Sequence, residues 1–183
     1  MATALSKRMS LAQFLVWDDG TDRRYELVDG RVIAMAPPAG AHAVIVMNLG
    51  RQLGNRLKPP CYAAAEAGVV PPDRADTWYQ ADLVVTCTPL SPGARWFPEP
   101  VLIAEVLSPS TSVHDFKTKL PDYQRMRSVR EILLISSEER RIERWLRAGD
   151  GWRQLTFVGD QAVTVECVGG AVPMNEIYAN LAI

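Results

Sequence analysis

Residues 101–107 of this chain, Val-Leu-Ile-Ala-Glu-Val-Leu, hold six aliphatic side chains and a single carboxylate, that of Glu105. An aliphatic run of this length predicts a strand that is buried on both faces of a sheet. An unpaired carboxylate in a dry interior would cost several kcal/mol or would take up a proton. We therefore expect a cation, a hydrogen-bond network or a metal ion to meet Glu105.

The residues before this strand predict a helix and several shorter strands. Asp29-Gly30 lies between residues 24–28 and 31–35, which is a strong signal for a hairpin with a two-residue turn. Residues 39–57 have an apolar stripe at helical spacing, and Pro59-Pro60 ends that helix. We expect a weaker strand pair at 62–66 and 68–70, a loop at 71–79, and a short strand at 82–86 that begins with Asp82.

The residues after it predict one more helix and a second hairpin. A helix is expected from near Thr118 to near Arg127, since Pro121 is tolerated only in a first turn. Strand patterns follow at 131–135, 141–146 and 152–158, with one more strand in the tail. The order predicts an α/β or α+β fold, in which helices flank a central mixed sheet. Residues 1–183 are expected to form one domain, with 1–9 as a loose terminus.

Composition excludes some classes of protein. The formal net charge is -1, so a strongly basic nucleic-acid-binding surface is not expected. Cys61, Cys87 and Cys167 are far apart, which predicts free thiols in a reducing cytosol and no zinc site. There is neither a signal peptide pattern nor an apolar run of about 20 residues that could span a bilayer. We expect a cytoplasmic protein without a membrane partner.

Strand pairing would bring two carboxylates together. If the strands of Asp82 and Glu105 pair, the two side chains could converge at one end of the sheet. Two such carboxylates are tolerable with a divalent cation between them, and hard oxygen ligands favour Mg²⁺ or Mn²⁺ over zinc. Lys117 and Lys119, after Asp115, could add an ammonium that holds a water or offsets charge on a phosphate.

Each of these residues also has an ordinary structural explanation. Glu105 could form a structural ion pair with a lysine, and Asp82 could be a cap or turn residue. The two lysines could lie on a solvated face, Glu26 could point to water, and His42 could be a surface histidine. The residues alone indicate a carboxylate–metal site and do not indicate a particular reaction.

Taken together, several motifs resemble those of the Uma-two family, a group of bacterial proteins described as restriction endonucleases. They occur in this order: Tyr25-Glu26-Leu27-Val28-Asp29-Gly30, Pro37-Pro38 before His42, Asp82 before three aliphatic residues, Glu105-Val106-Leu107-Ser108-Pro109-Ser110-Thr111, and Asp115 with Lys119, Leu120 and Tyr123. The resemblance covers the chain from about Leu11 to the end. The family belongs to the PD-(D/E)XK nuclease superfamily.

The resemblance implies a restriction-endonuclease-like core, with added hairpins near both ends. It implies that Asp82 and Glu105 are the two acidic metal ligands. Ala81 stands where the superfamily has proline, and Leu107 stands where it has lysine. The family's lysine role passes to the following helix, where Lys119 matches. Glu26 matches a further position near the site that assists the metal or a water, and His42 matches a position of unknown role.

Two hypotheses of function follow. The first is a Mg²⁺-dependent endonuclease that hydrolyses DNA phosphodiester bonds, with Asp82, Glu105, Lys119 and Glu26 at its site. DNA is then the partner, and a homodimer is expected by analogy with superfamily members that cut both strands. The second is a non-catalytic nucleic-acid-binding or regulatory protein that keeps the nuclease fold, because a fold alone does not establish activity.

Overall fold

The computed structural model describes residues 8–108 and 115–183, with only the backbone described at residues 115 and 116. Its strands are β1 (Tyr25–Val28), β2 (Arg31–Ala34), β3 (Tyr62–Val69), β4 (Tyr79–Thr86), β5 (Pro100–Leu107), β6 (Glu131–Ser136), β7 (Arg141–Ala148), β8 (Gly151–Val158), β9 (Ala162–Val165) and β10 (Gly170–Pro173). The predictions for Pro109, Ser110 and Thr111, and for most of the loose terminus, lie outside these residues.

The central sheet has six strands in the order β3-β4-β5-β6-β7-β8. Neighbours are antiparallel except for β5 and β6, which run parallel with Leu102 opposite Glu131. A parallel pair needs a crossover connection, and the segment between these two strands contains a helix. The mixed sheet with flanking helices confirms the predicted fold class.

Two small antiparallel hairpins lie outside the central sheet. One pairs β1 with β2, and the other pairs β9 with β10. Asp29 and Gly30 both have positive φ, of 49° and 74°, as a two-residue hairpin turn of the primed type requires. The Asp-Gly signal therefore predicted this hairpin correctly. β7 and β8, joined at Gly149-Asp150, form the hairpin predicted near the C-terminal end, within the central sheet.

Four α-helices occur within the described ranges: α1 (Leu11–Phe14), α2 (Gly40–Gly54), α3 (Leu120–Arg125) and α4 (Met174–Ile177). Ser10 caps α1 through a reciprocal pair of hydrogen bonds with Gln13. A π-helical turn, Asp115–Lys119, leads into α3. Pro121 lies in the first turn of α3, where its missing N–H is tolerated. None of these helices is long and apolar enough to cross a membrane.

The central strands of the sheet, β4, β5 and β6, are buried on both faces. On one face, α2 contributes Ile45, Leu49 and Leu53 to a core that includes Leu102 and Ala104 of β5. On the other face, α3 and the residues after it pack on Ile103, Val84 and Ile132. Alternate residues of β5 therefore enter two different cores, as predicted for its aliphatic sequence. α2 and α3 lie on opposite faces of the sheet.

Two predicted element boundaries were wrong. Residues 62–69 form one strand rather than a pair, because each half pairs with β4 on either side of Glu66, which has a φ of 51°. β4 begins at Tyr79, so Asp82 lies inside the strand and not at its start. The sequence predicts a loop that runs through Tyr79, whereas pairing of Val69 with Tyr79 and of Gly68 with Gln80 keeps both residues in the sheet.

The prediction of free thiols was wrong for two of the three cysteines. Cys61 and Cys87 form a disulfide. They adjoin the paired residues Tyr62 and Thr86, so antiparallel pairing of β3 with β4 brings the two thiols together across a separation of 26 residues. Cys167 is the free cysteine in the described part of the chain. The cysteines therefore no longer support a reducing compartment.

Candidate active site

The β4–β5 ladder opens next to Asp82. Paired residues run from Thr86–Pro100 to Leu83–Ala104, where the ladder of the described strands ends. The next bond is made by a side chain, since the backbone N–H of Val106 donates to Asp82 Oδ2 over 2.7 Å. Asp82 thus fills the place of a backbone acceptor and holds β4 and β5 together at a gap in the sheet.

His42 holds the other oxygen of Asp82. Its Nε2 lies 3.0 Å from Asp82 Oδ1, and both side chains are about one-fifth exposed. His42 is in the first turn of α2, so this contact ties the helix to the gap. The family match singled out His42 without giving it a role, and its partner is now clear. No periodic pattern in the sequence predicts a contact between residues 40 positions apart.

Glu105 is buried and has partners from the opposite face of the sheet. Tyr123 of α3 donates its hydroxyl to Glu105 Oε1 over 2.6 Å, and Lys119 Nζ lies 3.5 Å from the same oxygen. Glu105 is 2% exposed. A carboxylate at this depth is tolerable because a cation and a hydrogen bond compensate its lost hydration. The expectation that something must meet Glu105 therefore agrees with its contacts.

Lys119 connects Glu105 to a second carboxylate, Glu26. Its Nζ lies 2.9 Å from Glu26 Oε1, and all three side chains are buried. Glu26 also accepts a hydrogen bond from the backbone N–H of Gln80 over 2.8 Å. The ammonium is thus fixed between two strands, β1 and β5. Lys117 is exposed and has no such contact among the described residues, which favours Lys119 for the lysine position.

Tyr79 and Asp122 lie next to Lys119 in the buried core. Neither residue was identified from the sequence. The Tyr79 hydroxyl donates to Asp122 Oδ2 over 2.7 Å, and Lys119 Nζ lies 5.8 Å from the centre of the Tyr79 ring. Burial, together with the Asp122 carboxylate, raises the pKa of Tyr79 well above its ordinary value. Tyr79 therefore remains a neutral donor. No period-2 pattern runs from Leu83 back to Tyr79, since the two side chains enter opposite cores, so the sequence gives no signal for Tyr79.

These residues border one cavity of about 770 Å³, which we call the gap cavity. Glu26, His42, Asp82, Glu105 and Lys119 all line it. Its remaining wall is largely apolar and comes from β2, the loop before α2, α2 itself and β3. Asp82 and Glu105 are held from opposite faces of the sheet by their partners, and both border the gap cavity where the two strands part.

The side chains match magnesium in chemical kind. Among the residues that the structure describes, no group of three or more His, Cys, Asp or Glu side chains is arranged to hold a metal ion. Mg²⁺ is usually bound by one or two carboxylates together with waters and substrate phosphates, so it does not require such a group. Asp82 and Glu105 place two carboxylates on the wall of one cavity, and carboxylate oxygens are the donors that this ion takes.

Comparison with known proteins gives the family. The model of the Uma2 family, described as "Putative restriction endonuclease", matches residues 11–173. The chain belongs to this family. The Uma2 match includes all the residues that line the gap cavity, from Arg24 to Lys119. It confirms the resemblance drawn from the sequence motifs.

Two Synechocystis proteins and one solved structure are similar over nearly the whole chain. The protein slr1290 is 26% identical over 178 residues, which are 96% of this chain and 94% of the relative, and sll1609 is 25% identical over 170 residues, 88% and 94%. A crystal structure from Anabaena variabilis, described as "a putative nuclease belonging to DUF820", superimposes with a TM-score of 0.74. It is 18% identical and covers 93% of this chain and 97% of its own, so it shows that the fold is shared.

Proposed function

We propose that this Uma2 protein is a Mg²⁺-dependent endonuclease that hydrolyses phosphodiester bonds of DNA. The observation that carries the proposal is the arrangement at the gap cavity. Asp82 and Glu105 border one cavity, and the buried ammonium of Lys119 is fixed beside them by Glu26. A pair of carboxylates with a nearby lysine is the set of groups that hydrolysis of a phosphate ester needs.

Asp82 and Glu105 would be the ligands of the metal, with Mn²⁺ as an alternative to Mg²⁺. When bound, the ion would polarise the scissile phosphate and lower the pKa of a water. His42 Nε2 lies 3.0 Å from Asp82 Oδ1 and so restricts the rotation of that carboxylate. The Val106 N–H fixes its other oxygen. His42 is therefore a positioning residue in this proposal.

Lys119 acts through its charge and its N–H donors. Glu26 and Glu105 hold the ammonium beside the gap cavity that it lines. There it donates a hydrogen bond to the attacking water and offsets negative charge that develops on the phosphate oxygens. Glu26 positions Lys119 and does not itself contact the phosphate. Tyr123 positions Glu105 in the same way.

The test is cleavage of supercoiled plasmid and of single-stranded, duplex and branched oligonucleotides with Mg²⁺ or Mn²⁺. We expect Asp82→Asn and Glu105→Gln to reduce the rate by at least about 100-fold, as loss of a group that stabilises developing charge does. Glu138→Gln is the matched control, because Glu138 is an exposed carboxylate in the turn after β6. A wild-type protein that cleaves none of these substrates would overturn the proposal.

Metal binding gives a second readout that does not depend on cleavage. A ligand present at 100 times its dissociation constant stabilises a protein by about 2.7 kcal/mol. We expect Mg²⁺ to raise the free energy of unfolding of the wild type and of Glu138→Gln by an amount of this order. The increment should be lost in Asp82→Asn and in Glu105→Gln.

A non-catalytic protein that keeps the nuclease fold is the second candidate. One observation favours it: both carboxylate oxygens of Asp82 already have partners, Val106 N–H and His42 Nε2, as in a purely structural residue. The aliphatic Leu107 at the superfamily's lysine position favours it as well. DNA binding without cleavage, together with no stabilisation by Mg²⁺, would support this candidate over the nuclease.

We further propose DNA as the partner, a cytoplasmic location and assembly as a homodimer, the last by analogy with nucleases that cut two strands. A net charge of -1 gives little long-range attraction to DNA, so local arginines must supply the phosphate contacts. Sedimentation equilibrium with and without a DNA duplex tests the assembly, and a monomer in both conditions would rule out the dimer.

A further inference from the structure

A second cavity, of about 290 Å³, lies beside the gap cavity and is lined by aromatic rings. We call it the aromatic pocket, defined by Phe14, Trp17, Tyr25 and Trp78. Trp17 and Tyr25 meet edge to face with centroids 5.0 Å apart, and Phe14 lies 5.7 Å from Trp78. The four half-buried rings come from α1, the turn after it, β1 and the residue before β4. A volume near 300 Å³ is at the small end of ligand pockets.

Trp78 is held firmly in this pocket. Its indole N–H donates to the carbonyl oxygen of Arg95 over 3.0 Å. A Cβ on Gly68 would lie 2.7 Å from the Trp78 ring and 2.3 Å from the Arg95 carbonyl oxygen, so only glycine permits this approach. One wall of the aromatic pocket is therefore fixed before any ligand arrives, and pre-organisation of this kind increases affinity.

The aromatic pocket adjoins the gap cavity. Arg24 and Gln80 line both of them. Successive side chains of a strand point to opposite sides, so in β1 Tyr25 borders the aromatic pocket and Glu26 borders the gap cavity. The two cavities therefore lie on either side of β1 and share Arg24 and Gln80 as wall residues.

The charged lining suits a nucleotide. The side chains of Arg23, Arg24 and Arg95 border the aromatic pocket, and planar guanidinium groups match phosphate oxygens. Asp18 and Asp19 also border it, and the Tyr25 hydroxyl donates to Asp19. This hydrogen bond lowers the pKa of Asp19 and keeps the carboxylate ionised, and both of its oxygens also accept from Thr21. Arg24 pairs with Glu66, so the phosphate contacts of this lining fall to Arg23 and Arg95.

We propose that the aromatic pocket binds an unpaired nucleotide of the DNA strand whose phosphodiester occupies the gap cavity. The base packs against the rings of Trp17, Phe14 and Trp78, and the arginines contact the adjoining phosphates. This inference rests on the proposed function and extends it to a substrate class. A base in an intact duplex is stacked and paired and cannot enter such a pocket without first being unpaired. Single-stranded or locally melted DNA is therefore the preferred substrate.

The test is binding of a fluorescein-labelled 12-nucleotide single strand, and of the corresponding duplex, in EDTA, measured by fluorescence anisotropy. Without metal the measurement is independent of cleavage. We expect the single strand to bind more tightly than the duplex, and Trp17→Ala to weaken single-strand binding by about 5- to 150-fold, the range for loss of one base-stacking ring. Trp17→Phe keeps a ring and should retain most of the affinity.

Trp152→Ala is the matched control, because Trp152 is also a half-buried tryptophan but lies on β8, at the sheet edge opposite β3. It should bind the single strand as the wild type does. Urea unfolding of each variant separates loss of binding from loss of folding. If Trp17→Ala is unfolded, Trp17→Phe and Arg95→Gln carry the test.

Arg95→Gln provides an independent readout, because it removes a charge but keeps the backbone carbonyl that accepts from Trp78. For a single strand, each phosphate contact contributes about 0.7 to the slope of log affinity against log salt. We expect the slope to fall by about that amount. Equal affinity for single strand and duplex, or wild-type affinity and salt slope in the variants, would overturn the proposal. Cleavage failure with this binding pattern intact would overturn only the proposed function.

Discussion

Replacement of Lys119 with methionine tests the charge arrangement at the gap cavity. Lys119 is 4% exposed, and its Nζ lies 2.9 Å from Glu26 Oε1 and 3.5 Å from Glu105 Oε1. Methionine has a similar length and no charge, so the substitution leaves two buried carboxylates without their cation. Removing one partner of a buried ion pair destabilises a protein by about 3–5 kcal/mol.

The expected loss is large compared with the stability of a domain. Free energies of unfolding are about 5–15 kcal/mol, so Lys119→Met should remain folded at room temperature with much of that margin gone. With a denaturant slope of about 2 kcal/mol per molar urea, the unfolding midpoint should fall by about 1.5–2.5 M. The assay is urea unfolding followed by far-ultraviolet circular dichroism and tryptophan fluorescence.

Lys117→Met is the matched control, because Lys117 is exposed and lies only two residues away. Its free energy of unfolding should change by no more than about 0.5 kcal/mol. The double variant Glu26→Gln/Lys119→Met should recover part of the lost stability, since it has one buried charge fewer than Lys119→Met. Equal midpoints for Lys119→Met and Lys117→Met would refute the proposed charge arrangement.

Three further predictions concern other buried polar groups. Glu131 is fully buried and lies 2.6 Å from Arg144 Nη2. Arg144→Met removes the cation of this pair, so urea unfolding should show a loss of about 3–5 kcal/mol in the free energy of unfolding. A loss under about 1 kcal/mol would contradict this. Burial raises the pKa of Tyr178 to about 12. The unfolded chain then loses the phenol proton first, so this contribution to stability is present below about pH 10 and is lost as the pH rises toward 12. In thermal melts, the melting temperature of Tyr178→Phe should fall less steeply between about pH 10 and 12 than that of the wild type. An equally steep fall would show that ionisation of Tyr178 is not the cause. Burial, together with the nearby Glu131 carboxylate, raises the pKa of the Cys167 thiol to about 12. Little thiolate is therefore present at pH 8, and iodoacetamide should alkylate Cys167 slowly in the folded protein and rapidly once urea is added. Mass spectrometry measures the extent of alkylation.

Much of the fold followed from local patterns. The aliphatic run around Glu105 predicted a strand buried on both faces, and Asp29-Gly30 predicted the β1–β2 hairpin, because these signals depend on side-chain period and turn geometry alone. The boundaries of β3 and β4 could not be predicted in the same way. Tyr79 and Gln80 are in a strand because of partners distant in sequence, and Glu66 lies within a strand because the residues on both sides of it pair with β4. No local preference of these residues favours that assignment.

The candidate site, like the fold, has features that local sequence patterns predict and features that depend on contacts between distant segments. The sequence predicted that Glu105 needs a partner, because an unpaired carboxylate in a buried aliphatic strand is costly. Its partners include Lys119, which the sequence had suggested, and Tyr123, which it had not. The link from Lys119 to Glu26 depends on how β1 packs on the sheet. The contact between His42 and Asp82 depends on the packing of α2 in the same way.

The sequence by itself determined the class of fold, the buried central strand and the need to compensate Glu105. Only the tertiary structure decided that Asp82 bridges two parting strands, that Lys119 is shared between two carboxylates, and that Cys61 meets Cys87. The physical reason is one of range. Burial and backbone preference act on a residue and its near neighbours, whereas an ion pair or a disulfide requires two distant segments to be placed within a few ångströms of each other.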